Sequence, residues 1–293
     1  MIQSKLFYCT NKHCYPPFKN GLYLEEYFLK MYIEKSPKTN KKYILCPWTN
    51  FQIEDWFNLK KHEMQLYLDN WIHNNPSENG YFIVVQHDCG PMLKVPDNTT
   101  IYGSCSGTVP IPLIYQDVNN TLDKIKKKTY NEKAILCSFV GNITADNTKP
   151  NVRLEIFKKF SNNSNFLLIN SGGWTPEVNK NKQDIFINTT LDSKFALAPR
   201  GFGRSSFRFF EIFKLGTIPI YVWNDIDWLP FKDEIDYNKL CINIHVSELD
   251  NLENILNSIN EEKYNNMLKY YETIKHLFSV EGLYEKIISL EKK

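Results

Sequence analysis

Along the chain, short apolar runs rich in β-branched and aromatic residues alternate with stretches whose apolar residues recur at helical spacing. This is the pattern of βα units: strands covered on both faces read as continuous apolar runs, and the crossover helices cover them. In the first half the pattern predicts strands at 42–47, 81–86 and 111–115. Between the first two, Trp56, Leu59, Met64, Leu66, Leu68, Trp71 and Ile72 predict one or two amphipathic helices across 53–74. Residues 116–133 are polar and charged, with Asn119-Asn120 and a lysine run ending at Lys128, and read as a solvated helix or linker between two domains. The pattern then restarts, with strands at 134–140, 165–170, 194–198, 217–223 and 241–245. Helices are predicted at 152–160, 205–215 and 249–257, followed by a long terminal helix from about 262 to 291. The reading is α/β: a Rossmann-like domain at 1–125, a second at 126–265, and a terminal helix at 266–293 that packs back on the first.

Composition narrows the function without changing the fold. The 35 basic residues are nearly matched by 33 acidic ones, a net charge of +2, which leaves no surplus for neutralising phosphates along a nucleic acid. Nucleic acid is therefore not an expected partner. Aromatics make up 14% of the residues, enough to fill cores and still offer faces on which sugars or bases stack. Seven cysteines without a CxxC pair, several of them in apolar runs such as Ile135-Leu136-Cys137-Ser138-Phe139-Val140, read as reduced core thiols. The first residues lack a signal-like apolar stretch, and no window reaches the about 20 apolar residues of a membrane span. A cytoplasmic protein without a membrane span is expected, in which triplets such as Asn142-Ile143-Thr144 would not carry glycans.

The segment richest in chemistry runs from Phe195-Ala196-Leu197-Ala198-Pro199 through Arg200-Gly201-Phe202-Gly203-Arg204-Ser205-Ser206 to Phe207-Arg208-Phe209-Phe210-Glu211. A buried strand enters a glycine-containing turn, and the turn opens a helix at Ser205 or Ser206. Amides at a helix N-terminus carry partial positive charge, and the glycines let a diphosphate approach the backbone. Arg208, inside the first turn, can add a charge-assisted contact, and Arg200 and Arg204 flank the same loop. Glu211 shares a helix face with Arg208, from which a carboxylate can accept both hydroxyls of a ribose. The plainer alternative is an intrahelical ion pair on a solvated face. Against it, Phe207, Phe209, Phe210, Ile212 and Phe213 make the helix apolar around both charges, where an unexplained charge is costly.

These residues resemble the exostosin family, glycosyltransferase family 47. The resemblance rests on 195–199, on Ser205 or Ser206 with Arg208 and Glu211, on Gly216-Thr217-Ile218-Pro219-Ile220 and on Leu229-Pro230-Phe231 before Ile235-Asp236. Upstream, Ser138-Phe139-Val140-Gly141 followed by Arg153 belongs to the same string, which covers 134–257. The resemblance implies a GT-B fold, two Rossmann-like domains facing a central cleft, and inverting transfer without a metal or resident cofactor. The co-substrate would be a UDP-sugar held by the C-terminal domain and the acceptor a glycan. Its donor site would take in Arg208, Glu211, Ser205, Ser206, Arg200, Gly201, Gly203, Arg204, Gly141, Arg153 and Tyr221. Tyr221 and Trp223 end a strand where they could flank the nucleobase. The nearest approach to a metal-binding Asp-x-Asp, Asp225-Ile226-Asp227, reads as a turn with capping carboxylates.

In the first half, the apolar run from Gly80 ends in His87-Asp88-Cys89-Gly90, at the carboxyl end of a strand where ligands of open α/β sheets sit. The family has a comparable His-Asp element, although the Arg-Asp-His that often precedes it is replaced here by Asn79-Gly80-Tyr81. An inverting transfer needs one general base, for which Asp88 is the first choice and His87 the second. Trp48, Glu54 and Asp55 are candidates for the acceptor side, the two carboxylates being equally good residues for the start of a helix. The other histidines, His13, His62, His73, His245 and His276, lack ligand spacing, and Gly172-Gly173-Trp174 reads as a loop with an indole available for stacking. The short, Lys/Asn-rich chain resembles the compact exostosin-like enzymes of large DNA viruses, and within that group a xylosyltransferase acting on a fucose-containing N-glycan. A GDP-fucose-dependent fucosyltransferase-like enzyme and a non-catalytic glycan- or nucleotide-binding protein are the alternatives.

Overall fold

Each of the two series of apolar runs folds into its own parallel sheet. The computed structural model describes residues 1–9, 21–143, 148–173 and 178–292. They divide into two units, Met1–Asp117 with His276–Lys293, and Val118–Lys275. The divisions fall at 117 and 275, where the sequence pattern placed them at 125 and 265.

In the first unit β1 (Lys42–Tyr43), β2 (Tyr81–Val85), β3 (Thr99–Gly103) and β4 (Val109–Pro110) lie in the order of the chain, all parallel. β2 is buried along its whole length, as the unbroken run Tyr81-Phe82-Ile83-Val84-Val85 requires. Helices α1 (Leu24–Lys35), α2 (Trp48–Gln52) and α3 (Phe57–Asn74) accompany this sheet. Phe28 of α1 packs on Tyr43 and Phe82 on one side, and α3 lays Phe57, Met64, Leu68 and Trp71 into a second cluster with Ile83 and Val85. Leu59 and Leu66, which read as part of the buried stripe, lie on the exposed face of α3.

The strand expected at 111–115 is absent; only Tyr115 bridges, antiparallel, to Tyr23. Pro112 removes a donor from that run, and Pro110 another just before it. The sheet instead takes Thr99–Gly103, a strand concealed by its polar threonines. Gly103 ends it where a Cβ would stand 1.9 Å from the Ser106 carbonyl oxygen, so only glycine allows the turn that follows. Gly103→Ala is expected to lower stability by about 1–3 kcal/mol in urea unfolding. Gly173→Ala, with open space around its Cβ, serves as the neutral comparison.

The second unit strings together β5 (Ile135–Gly141), α4 (Val152–Phe160), β6 (Phe166–Asn170), α5 (Lys180–Leu191), β7 (Ser193–Leu197), α6 (Phe207–Lys214), β8 (Ile218–Trp223), α7 (Tyr237–Leu240), β9 (Ile242–His245), α8 (Leu252–Asn257) and α9 (Glu261–Ile274). Its five parallel strands lie in the order β6-β5-β7-β8-β9. The chain steps outward from β5 to β6 and then crosses back to β7. The strand order therefore reverses between β5 and β7, and the carboxyl ends of these two strands flank the crevice in which ligands of such sheets bind. α5 occupies what read as a polar excursion, because only Phe186, Thr190 and Leu191 of its twelve residues are buried.

The long terminal helix is two helices. α9 ends at Ile274, a short 3-10 turn covers Lys275–Phe278, and α10 (Val280–Leu290) restarts with Ser279 Oγ accepting from the Gly282 N–H at 3.0 Å. A Cβ on Gly282 would meet the His276 carbonyl oxygen at 1.9 Å, so the restart is built around glycine. α10 belongs to the first unit, where Tyr284 packs on Phe28 and Glu291 accepts from the Tyr102 hydroxyl at 2.7 Å. Cys9, Cys46, Cys89, Cys105, Cys137 and Cys241 form no disulfide among the described residues, and Cys14 lies outside them. No described helix is long and apolar enough to cross a membrane.

Candidate functional site

The loop from Ala198 to Ser206 leaves the carboxyl end of β7 beside the strand-order reversal and delivers the chain into α6. Ser206, with extended backbone, is the helix cap: its Oγ accepts from the Arg208 N–H at 3.3 Å. α6 buries Phe209, Phe210, Glu211, Ile212 and Phe213, so a carboxylate sits among phenylalanines as the sequence required. Glu211, 5% exposed at its side chain, accepts from Arg208 Nη1 at 2.5 Å. The Arg208 guanidinium lies 3.7 Å from the centre of the Phe186 ring and remains 30% exposed. The intrahelical pair is thus formed, on a partly buried face.

Two of the remaining arginines are struts. Arg153 donates from Nε to the Arg200 carbonyl (3.0 Å) and from Nη1 to the Asn142 carbonyl (2.7 Å), tying the loop after β5 to the loop after β7. A Cβ on Gly201 would stand 2.9 Å from the Arg153 Nη2, and one on Gly141 would meet the Phe139 ring at 2.6 Å. These glycines thus leave room for the strut and the ring beside it. Gly203 accepts the Gly201 N–H at 3.1 Å and closes the loop on itself. The Arg200 side chain is buried, donating to Asn224 Oδ1 at 3.0 Å, to Asp225 Oδ1 at 2.5 Å and to the Phe202 carbonyl at 3.1 Å. It is satisfied within the protein, and the sequence-based view of it as a ligand contact is replaced by that of a scaffold. Tyr221 is likewise internal: it is 2% exposed, and its hydroxyl donates to the Arg204 carbonyl at 2.7 Å and accepts from the Trp228 N–H at 3.3 Å. Its ring braces the loop and is closed to a nucleobase. Trp223, half-buried, donates to Asn243 Oδ1 and lies edge-on to His245.

Arg204 differs from the struts, since its side chain is 27% exposed and its Nε donates to Asp225 Oδ2 at 2.8 Å. Burial raises the Asp225 pKa, but the Ile226 N–H and the two guanidiniums outweigh it and hold the carboxyl below its usual range. Asp227 is engaged by Lys232 at 2.9 Å and by Asn243 Nδ2 at 2.8 Å. Both carboxylates of Asp225-Ile226-Asp227 thus accept from cations and N–H groups. Among the described residues no three His, Cys, Asp or Glu lie close enough to hold a metal ion. Around this loop stand four guanidiniums (Arg153, Arg200, Arg204, Arg208) and two carboxylates (Asp225, Glu211), a local excess of two positive charges at a helix N-terminus. The two half-exposed arginines, Arg204 and Arg208, carry that excess to the surface.

In the first unit, β2 runs directly into Gln86-His87-Asp88. A buried carboxylate that the sequence reading missed fastens this exit. Glu25 of α1, 2% exposed, accepts from the Gln86 N–H, from the Thr49 N–H at 2.8 Å and from the Thr49 hydroxyl at 2.7 Å. Gln86 answers by accepting the Glu25 N–H at 3.3 Å and donating to the Ile114 carbonyl at 2.8 Å. Gln52 of α2 holds the far side of the loop, donating to the Gly90 carbonyl at 3.0 Å and accepting the Met92 N–H at 2.6 Å. The signal for Glu25 was its place three residues before Phe28 on the buried face of a helix, where a charge needs a partner.

Asp88 is exposed and His87 half-buried. His87 Nδ1 accepts the Cys89 N–H at 3.2 Å, which places the proton of the neutral ring on Nε2, and burial lowers its pKa against the opposing charge of Asp88. Glu54, half-buried, and Asp55, exposed, lie in the turn between α2 and α3. Trp48 is fully buried against Phe51 in the core, so its indole fills space and is closed to an acceptor. Trp174 lies outside the described residues.

A family model, the Exostosin GT47 domain, matches residues 62–259. The match begins within α3 and runs past α8, taking in His87, Asp88 and all four arginines of the loop. It leaves out Glu25, Trp48, Gln52, Glu54 and Asp55.

Proposed function

The chain belongs to the exostosin GT47 family and is a glycosyltransferase, and on that premise we propose that it is an inverting, metal-independent enzyme that transfers a sugar from a UDP-sugar to a glycan. The observation that carries this reading is the excess of positive charge at the N-terminus of α6, beside the strand-order reversal of the second unit. A nucleoside diphosphate is the anion suited to it. Its phosphates would meet the Ser205 and Ser206 amides and the exposed guanidiniums of Arg204 and Arg208. Arg208 would exchange part of its bond to Glu211 for phosphate, leaving the carboxylate to accept from the ribose hydroxyls.

In the transfer, the acceptor hydroxyl oxygen attacks the anomeric carbon and loses its proton to the base. The bond from that carbon to the diphosphate oxygen breaks, and the electron pair leaves with UDP. Fixed guanidiniums and amides stabilise the departing charge in the place a metal would otherwise take. Asp88 suits the base better than His87, whose Nδ1 already accepts a backbone N–H and whose Nε2 carries the proton. Asp88→Asn is expected to reduce kcat by about 10²–10⁴-fold while leaving UDP affinity unchanged. Turnover at the wild-type rate in this variant would pass the role to His87, Glu54 or Asp55.

For the substrate pair, the proposal is xylose and a fucose-containing N-glycan, as in the compact viral-type members that the sequence resembles. The test is calorimetric titration of UDP and GDP with and without EDTA, followed by a screen of UDP-sugars for transfer. UDP binding that survives EDTA, with transfer from one UDP-sugar, supports the reading. Preference for GDP would turn it to a fucosyltransferase-like enzyme, and binding without hydrolysis or transfer to a non-catalytic binder.

A further inference from the structure

Asp225 joins two guanidiniums that differ in every other respect. Arg200 is buried and donates to four groups, whereas Arg204 keeps its side chain 27% exposed. The carboxylate is itself tightly placed. Oδ1 accepts from Arg200 Nη1 and from the Ile226 N–H at 2.7 Å, and Oδ2 is turned to Arg204 Nε at 2.8 Å. At its other end Arg204 is fixed by the Tyr221 hydroxyl on its carbonyl, and its guanidinium lies 5.5 Å from the centre of the Trp228 ring. Held by Nε alone, Arg204 retains both η nitrogens without a hydrogen-bond partner among the described residues. These two nitrogens form the fork with which arginine binds phosphate oxygens.

We propose that Asp225 is a positioning residue for the donor: it takes its own orientation from Arg200, grips Arg204 by Nε, and so presents the η fork of Arg204 to the diphosphate. The proposal rests on the reading of the α6 N-terminus as the donor site. Because one carboxylate is shared between two guanidiniums, it orients Arg204 without cancelling its charge. The arrangement places a fixed, partly desolvated cation on the loop before α6, and a flexible arginine would have to be ordered at each binding event.

Asp225→Asn separates orientation from charge. The amide oxygen would stay where Oδ1 accepts two donors, and the amide nitrogen would face Arg204 Nε, donor against donor, releasing Arg204 while the buried Arg200 keeps its bond. UDP titrated into Asp225→Asn, Arg204→Ala and the double variant is expected to bind about tenfold more weakly in each single variant, the loss of a charge-assisted contact. The double variant should be no weaker than either single one, because Asp225 acts through Arg204. The KM for the donor should rise by the same factor while the KM for the acceptor stays, a split that a general loosening of the fold would not give. Tighter UDP binding by Asp225→Asn would overturn the proposal, since it would mean that Asp225 merely neutralises the arginines. Additive losses in the double variant would overturn it as well. The underlying reading fails separately, and the proposal with it, if Arg208→Ala leaves UDP affinity unchanged. If Arg208→Ala weakens UDP but neither Asp225→Asn nor Arg204→Ala does, the donor site stands and this proposal alone falls.

Discussion

Arg208→Ala is expected to weaken UDP binding by about two orders of magnitude and to reduce kcat/KM for transfer by about 10²–10³-fold, because it removes a guanidinium from the helix end where leaving-group charge develops. The same substitution removes a cationic partner from Glu211, which is 5% exposed and accepts from Arg208 at 2.5 Å. Breaking a fully buried pair costs about 3–5 kcal/mol. Since Arg208 is 30% exposed and water can enter, about 1–3 kcal/mol is expected here. Loss of activity in the single variant therefore mixes a chemical effect with a structural one. Adding Glu211→Gln separates them. The neutral amide removes the buried charge that has lost its guanidinium, so the double variant should recover most of the stability in urea unfolding and none of the UDP affinity. If stability and affinity return together, Arg208 serves only to neutralise Glu211, and the plainer ion-pair alternative is the right one.

The sequence makes the backbone path through this site legible and leaves its side-chain contacts open. The strand, glycine turn and helix from Phe195 to Glu211 are consecutive, so their order, the cap and the Arg-Glu spacing could be read directly. What Arg200 and Arg204 do could not. Their partner, Asp225, lies 25 and 21 residues away and reaches them only because β8 pairs with β7 and ends beside the same loop. Tyr221 and Trp48 failed for a related reason. Each ends or follows an apolar run at a position from which an aromatic ring can turn outward, and each turns inward, Tyr221 to brace Arg204 and Trp48 to fill the core.

Elements were misread where side-chain polarity ran against burial. α5 has a mostly solvated surface and so lacks a stripe to read. The strand Thr99–Gly103 carries threonines, and the run 111–115 is apolar but interrupted by proline. The break at Ser279 within the terminal helical pattern depends on the close approach of Gly282 to the His276 carbonyl, a contact that composition does not record. The two parallel sheets, by contrast, follow from continuous apolar strands that need cover on both faces. The general rule is that local sequence carries the backbone path, while the assignment of a polar side chain to scaffold or ligand waits on contacts across the sheet.

Glu25 is the clearest such case, and it gives the largest expected effect on stability. Burial pushes its pKa up to about 7; the Thr49 and Gln86 donors pull it down, and the charge of Glu26 adds to the rise. In the unfolded chain the same group titrates near 4.5, the ordinary value of a glutamate. Between these values the folded protein holds a proton that the unfolded chain has released, so stability must fall as pH rises through that window. A difference of about 2.5 pKa units corresponds to about 3 kcal/mol. The contribution is complete below pH 4.5 and gone above pH 7. The measurement is urea unfolding of wild type and Glu25→Gln between pH 4 and 8, with the difference taken so that other titrations cancel. Wild type should lose about 3 kcal/mol relative to the variant across the window. A relative gain with rising pH would mean instead that the three donors on Glu25 outweigh its burial and keep the carboxylate ionised. The first outcome would make the exit of β2, and with it the loop bearing His87 and Asp88, progressively easier to open toward neutral pH, since Glu25 fastens the Gln86 N–H that precedes both residues.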